Sequence, residues 1–131
     1  MQYLLLICDD ETRYLSLPPA ERESVSGEYR DLIGDMAQKG QYKGGNQLQP
    51  VRTATTVRVR NGKAQTTDGP FAETREQLGG FYMVDAANLD EAIAIAARIP
   101  SARIGSIEVR PVMVFSSEGM PADGQPAAAT A

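Results

Sequence analysis

The run Asp68-Gly69-Pro70-Phe71-Ala72-Glu73-Thr74-Arg75-Glu76-Gln77-Leu78-Gly79-Gly80-Phe81-Tyr82 holds three carboxylates and one guanidinium. A carboxylate at the mouth of a cleft acts as a general base when its pKa is raised, and Asp68 is the candidate for that work. The alternative is a loop cap that accepts backbone N–H bonds. Pro70 has no N–H, so Asp68 cannot accept a bond from two residues on, and the first amide open to it is that of Phe71. Gly69 stands before proline, where the α region is disfavoured and glycine alone adopts a positive φ freely. Glu73 and Glu76, three residues apart, could join Asp68 as oxygen ligands of a hard cation. The run has no known ligand spacing, however, and a solvated turn is the simpler account. Arg75 could hold an anionic substrate through two parallel bonds, or form an exposed ion pair. Phe71, Phe81 and Tyr82 are expected in the core. Tyr82 is also a ligand-binding candidate, because a buried phenol needs a partner and can point into a pocket.

The rest of the chain removes most standard chemistries. There is no histidine, which excludes the commonest general base, the serine-type triad and most zinc sites. The single cysteine, Cys8, cannot form an internal disulfide and has no histidine to activate it. It reads as a small buried hydrophobe at a strand end. Gly44-Gly45 and Gly79-Gly80 are isolated pairs rather than a phosphate loop, and no cofactor or metal motif is present. Seventeen acidic against thirteen basic residues leave a net charge of −4. That balance gives no electrostatic footing for nucleic acid or for an anionic membrane. The apolar run Leu4 to Ile7 is too short for a signal peptide and stops at Asp9-Asp10, and no stretch approaches a transmembrane length. The cytoplasm is the expected location.

The elements that must position these groups follow from periodicity. Tyr3 to Cys8 reads as a strand and Asp9 to Leu17 as a loop. Ser16 to Lys39 carries a helical pattern, with Val25, Tyr29, Leu32, Ile33 and Met36 on one face, Pro18-Pro19 at its start and Gly40 at its end. Gly27 and Gly34 weaken it. Gly44 to Gln49 is a weak strand. Thr55 to Arg60 alternates, Asn61-Gly62 is a hairpin turn, and Lys63 to Thr67 returns. Arg52, Arg58 and Arg60 cluster there as the polar face of a strand or the contact for an anionic partner. Gly80 to Asp85 is a strand, Asn88 and Glu91 form a capping box for a second helix, and Pro100 ends that helix. Ile107 to Phe115 is the last strand, with Glu108 and Arg110 on one face. Residues 1–115 make one domain. Residues 116–131, rich in Ser, Gly, Pro and Ala, form a tail with too little apolar surface to order.

This order predicts an α+β chain of ferredoxin-like, split βαβ plan with an additional β-hairpin. Tyr3 to Ile7, Phe81 to Val84 and Val112 to Phe115 are apolar at nearly every position, whereas a sheet with one wet face alternates. Two helices cover one face only. The economical cover for the other is the same sheet from a second copy, so a homodimer is expected.

The DGPF run resembles the DGPF branch of the YCII-related family of small bacterial proteins. Tyr3-Leu4-Leu5-Leu6-Ile7, Thr56-Val57-Arg58-Val59-Arg60-Asn61-Gly62-Lys63 and Ile107-Glu108-Val109-Arg110-Pro111 resemble its first strand, hairpin and last strand. The resemblance spans Met1 to about Pro111. It implies a dimeric α+β barrel with a cleft between sheet and helices in each subunit. Family members outside the branch are thought to pair a histidine with an aspartate, and this chain has no histidine. DGPF proteins are often encoded beside extracytoplasmic-function sigma factors. Two functions stand: a cofactor-independent enzyme on a small organic molecule, with Asp68 as acid or base and Arg75, Tyr82 or Glu73 binding the ligand; or a non-catalytic sensor that binds a ligand or contacts a sigma factor.

Overall fold

The first strand, β1 (Gln2–Asp9), sends Tyr3, Leu5 and Ile7 to one face, where they are buried, and Leu4, Leu6 and Cys8 to the other, where they are half-buried. The strand period of two produces this division directly. The computed structural model describes residues 1–119 of the chain. The tail expected over 116–131 therefore lies almost wholly outside the described residues.

The segment expected as a loop after β1 contains a short helix, α1 (Glu11–Leu15). The Asp10 carboxylate caps it, accepting from the Thr12 N–H at 3.0 Å and the Thr12 hydroxyl at 2.6 Å. A five-residue helix is too short to show an apolar period, so only the cap chemistry could have announced it. Helix α2 (Pro19–Gln38) starts later than Ser16 because Pro18, extended at ψ 151°, occupies the N-cap and Pro19 the first turn. It buries Leu32 and Met36. Gly40, at φ 69°, ends it: the Gln41 N–H bonds the Met36 carbonyl at 2.8 Å and the Gly40 N–H that of Ala37 at 3.1 Å. Helix α3 (Leu89–Ala97) opens on Asn88, which accepts from the Glu91 N–H at 2.9 Å. The Glu91 carboxylate returns to the Ala87 N–H at 3.0 Å, one residue before the expected cap amide.

Strands β2 (Tyr42–Gln47), β5 (Gln77–Asp85), β1 and β6 (Ser106–Pro111) form a four-stranded antiparallel sheet in the order β2-β5-β1-β6. This order is compatible with the ferredoxin-like plan. One core joins Tyr3, Leu5, Ile7, Tyr82 and Val84 of the sheet to Leu32 and Met36 of α2 and Ala92, Ile95 and Ala96 of α3. The last strand stops at Pro111 rather than Phe115. Tyr3 pairs with Pro111, so β1 has almost run out of residues to pair with anything beyond it.

Strands β3 (Thr55–Arg60) and β4 (Lys63–Asp68) form a separate two-stranded sheet. Asn61 at φ 53° and Gly62 at φ 75° make the turn that their sequence predicts. This ribbon stands off the body. Val57 and Val59 are 60% and 61% exposed, and every residue of β4 is exposed. Phe71, expected in the core, is 82% exposed. It follows Gly69-Pro70, where Gly69 at φ 99° turns the chain out of the ribbon before β5 begins.

Candidate functional site

A cleft of about 730 Å³ lies between the inner face of the sheet and helices α1 and α2. Pockets that enclose small organic ligands run from about 300 to 1,000 Å³. Its floor is an aromatic cluster. Tyr82, on the inner face of β5, meets Tyr42 of β2 edge-on with ring centroids 5.9 Å apart, and tilts against Tyr29 of α2 at 6.5 Å. Gly45 permits this arrangement. A Cβ there would strike the Tyr82 ring and come within 2.6 Å of the Phe81 carbonyl oxygen, so only glycine lets the phenol ring lie against β2.

The polar centre lies beside that floor. Asp9 is the last residue of β1, and the strand period brings it to the face of Tyr3, Leu5 and Ile7. The register shift opposite Ile7 and Cys8 leaves Gly79 unpaired on β5 as an extra residue. Gly105 packs under Asp9, where a Cβ would strike the Cys8 carbonyl oxygen and fall 2.8 Å from the Asp9 Cβ. Ser101, buried in the short 3-10 turn Pro100–Arg103 after α3, donates its hydroxyl to Asp9 Oδ2 at 2.8 Å. Its Oγ is also 2.9 Å from the Tyr29 hydroxyl. Serine has one hydroxyl hydrogen, and it goes to Asp9, so Tyr29 donates to Ser101. The result is a directed chain, Tyr29 to Ser101 to Asp9.

Burial sets the character of the phenols. Desolvation is the main cause that pushes the Tyr82 hydroxyl up to about 12, and the neighbouring Tyr29 and Tyr42 add to it. Desolvation also raises Tyr29, and the Asp9 charge acts in the same direction. Both phenols stay protonated at neutral pH and can donate. The Tyr82 hydroxyl has no hydrogen-bond partner among the described residues, and no fully enclosed side-chain polar atom there lacks one. The hydroxyl therefore opens into the cleft. Two arginines on the wall are neutralised. Arg103 grips Glu28 through two bonds of 2.8 and 3.0 Å, and Arg30 lies 3.3 Å from Glu23. Glu11 and Glu21, also on the wall, have no ion pair among the described residues.

Of the residues singled out in the sequence, Tyr82 lines the cleft and Asp68, Glu73 and Arg75 do not. Those three are exposed. Asp68 sits at the open end of the ribbon opposite Thr55. Arg75 lies near Asp10, whose carboxyl is held below its ordinary range first by the two Thr12 bonds and to a lesser degree by Arg13 and Arg75. Glu76 accepts from the Ser106 hydroxyl at 2.7 Å, away from the cleft. The run touches the cleft wall through Gln77, whose Oε1 accepts from the Glu11 N–H at 3.1 Å while its Nε2 donates to the Thr74 carbonyl at 2.9 Å. Cys8 is half-buried, and its thiol is pushed up mainly by desolvation and then by Glu108, Glu76 and Asp9, so it is not activated. No three Cys, Asp or Glu side chains converge as a metal site among the described residues.

A sheet–helix cleft above a four-stranded antiparallel sheet is what the DGPF resemblance implied. The family model for the YCII-related domain matches residues 1–116. The chain belongs to the YCII-related family. A relative from Rhizobium meliloti (strain 1021), described only as an uncharacterised protein, is 35% identical over 123 residues, covering 92% of this chain and 99% of that one. This YCII-related chain lacks histidine, so a histidine–aspartate mechanism is closed to it. The acid–base groups that line its cleft are three carboxylates (Asp9, Glu11 and Glu21), two serine hydroxyls and four phenols. No helix among the described residues is long and apolar enough to cross a membrane.

Proposed function

We propose that this YCII-related chain binds a small organic molecule in the sheet–helix cleft, with Tyr82, Tyr29 and Asp9 as its polar contacts. The observation that carries this reading is Tyr82, a residue nine-tenths buried whose hydroxyl, unpartnered among the described residues, opens into the cleft beside the chain from Tyr29 to Asp9. A phenol donor that stands open on an aromatic floor fixes the orientation of a ligand acceptor. Much of the rest of the wall is apolar, and its two arginines are paired, which suits a molecule with an aromatic or aliphatic body and a few polar groups. If the molecule turns over, Asp9 takes the proton as general base, and Ser101 and Tyr29 orient its carboxylate.

The same proposal includes a homodimer. Both packed helices lie on the inner face, and Leu4, Leu6, Phe81 and Met83 remain half-buried on the other, where no helix covers them. Burying that face against its own copy supports the dimeric barrel plan. Light scattering at micromolar concentration is expected to give twice the chain mass.

The ligand is found by screening pools of small organic molecules for a rise in melting temperature, followed by calorimetry on each hit. Tyr82→Phe and Asp9→Asn are each expected to weaken the hit at least ~10-fold, about one buried polar contact. Binding that survives both substitutions unchanged overturns this site.

A further inference from the structure

The ribbon of β3 and β4 is the part of the molecule that the cleft does not explain. A two-stranded hairpin exposed on both faces is marginally stable in water, and it normally persists by packing against something else. Its faces differ. Val57 and Val59 share one face with Ala64 and Thr66, and Arg58, Arg60 and Lys63 lie on the other. Charge is divided as sharply. Residues 52–67 hold four basic side chains, Arg52, Arg58, Arg60 and Lys63, and no acid. The remaining nine basic and seventeen acidic residues leave the rest of the chain at −8. An acidic chain that carries a cationic, half-apolar arm is complementary to a second copy of itself.

One surface offers the matching chemistry. The cleft mouth carries Glu11, whose carboxylate accepts from the Val51 N–H at 3.3 Å, and Glu21, neither of them in an ion pair among the described residues, beside Leu15 and Leu48, which are 64% and 43% exposed. A groove, unlike a flat surface, meets both faces of a ribbon.

We propose that the β3–β4 arm of a second copy of this chain closes the mouth of the cleft, its valines on Leu15 and Leu48 and its arginines facing Glu11 and Glu21. Two-fold symmetry makes the exchange reciprocal, so both clefts are closed by one dimer. Each cleft then takes part of its wall from the other subunit. The inference is independent of what the cleft binds, and also of whether the sheets meet face to face.

The test pairs charge reversal with amide exchange on the full chain. Hydrogen exchange across 55–68 in the wild type is expected to slow with rising protein concentration, in step with dimer formation seen by light scattering. Arg58→Glu/Arg60→Glu is expected to abolish that protection and weaken any dimer at least ~10-fold. Adding Glu11→Arg/Glu21→Arg to the same chain restores both to within ~3-fold, because the charges are again opposite. Circular dichroism checks that each variant keeps its sheet, which exposed substitutions in a detached arm should leave intact. A dimer whose arm amides exchange as freely as in the monomer overturns the proposal and leaves the sheet contact standing. A chain that stays monomeric at every concentration overturns it as well. Rescue that fails while the arm is protected shows that the arm docks elsewhere, and overturns the assignment to the cleft mouth.

Discussion

Tyr82 in β5 and Val59 in β3 both lie on strands whose side chains alternate, yet Tyr82 is 9% exposed and Val59 61%. The pleat gives each strand two faces. It does not say what either face will meet. β5 runs between β2 and β1 with α2 above it, so its inner face is sealed and becomes the floor of a cleft. Among the described residues β3 pairs with β4 alone. The same local rule thus builds a binding site in one region and an unpartnered arm in the other. Burial, hydrogen-bond direction and raised phenol pKa values are products of the neighbours.

The contrast is sharpest in stability. Leu5 is fully buried beneath both helices, and Leu5→Ala should cost about 3 kcal/mol in urea unfolding. Val59→Ala should cost less than about 0.5 kcal/mol when measured on the monomer. A comparable loss at Val59 under those conditions would mean that the arm packs on its own body.

Alkaline pH separates the regions next. The Tyr82 hydroxyl is raised from 10.0 to about 12 when folded. The unfolded chain therefore loses that proton first as pH climbs. The stabilisation from keeping the phenol neutral is complete below pH 10 and disappears between about 10 and 12, a loss on the order of 2 kcal/mol. Tyr29 shifts in the same direction. Tyr82→Phe should flatten most of this decline, and absorbance titration should show one tyrosine ionising last. The arm contains no tyrosine.

Two carboxylates give the third comparison. Asp9→Asn should weaken a cleft ligand at least ~10-fold, because Asn keeps the Ser101 bond but loses the charge. Asp68→Asn, exposed at the arm's open end, should change the affinity less than about twofold and stability by less than about 0.5 kcal/mol. A larger loss at Asp68 than at Asp9, by calorimetry, would move the site to the loop.

The smallest effects concern two glycines. A Cβ on Gly34 of α2 meets nothing within 4 Å, so Gly34→Ala should stabilise the body by about 0.5–1 kcal/mol through helix propensity. Gly62 also has open space but a φ of 75°, so Gly62→Ala should cost the arm about 1 kcal/mol. Thermal melts, with amide exchange to localise the change, distinguish the two signs.

Much of the scaffold was legible because it depends on local rules. Continuous apolar runs marked β1 and β5, three- and four-residue spacing marked α2, and Asn61-Gly62 marked a turn that requires two positive φ angles. Asn88 and Gly40 marked helix ends through the amides and carbonyls they satisfy. The candidate site was less legible. Asp68, Arg75 and Glu73 drew notice by crowding together in the chain, yet they lie on exposed loop and ribbon. Asp9 had looked like a mere end to an apolar run. Its one signal was parity with Tyr3, Leu5 and Ile7, which carries a carboxylate to a buried face. Ser101 had no signal at all, because what makes it a partner is a turn packed against β1 from ninety-two residues away.

By itself, then, the sequence determined most of the strands and helices, the turn at Asn61-Gly62, the helix ends at Gly40 and Asn88, which runs are apolar, and that no histidine chemistry is open to the chain. Those are properties of neighbours in the chain and of composition. Only the tertiary structure decided that Tyr29, Ser101 and Asp9 join in one directed chain, that Tyr82 keeps a free hydroxyl over a cleft, and that Val57, Val59 and Phe71 are left uncovered. The physical reason is that burial and hydrogen bonding depend on which distant segments the sheet order brings together, and no local pattern contains that information.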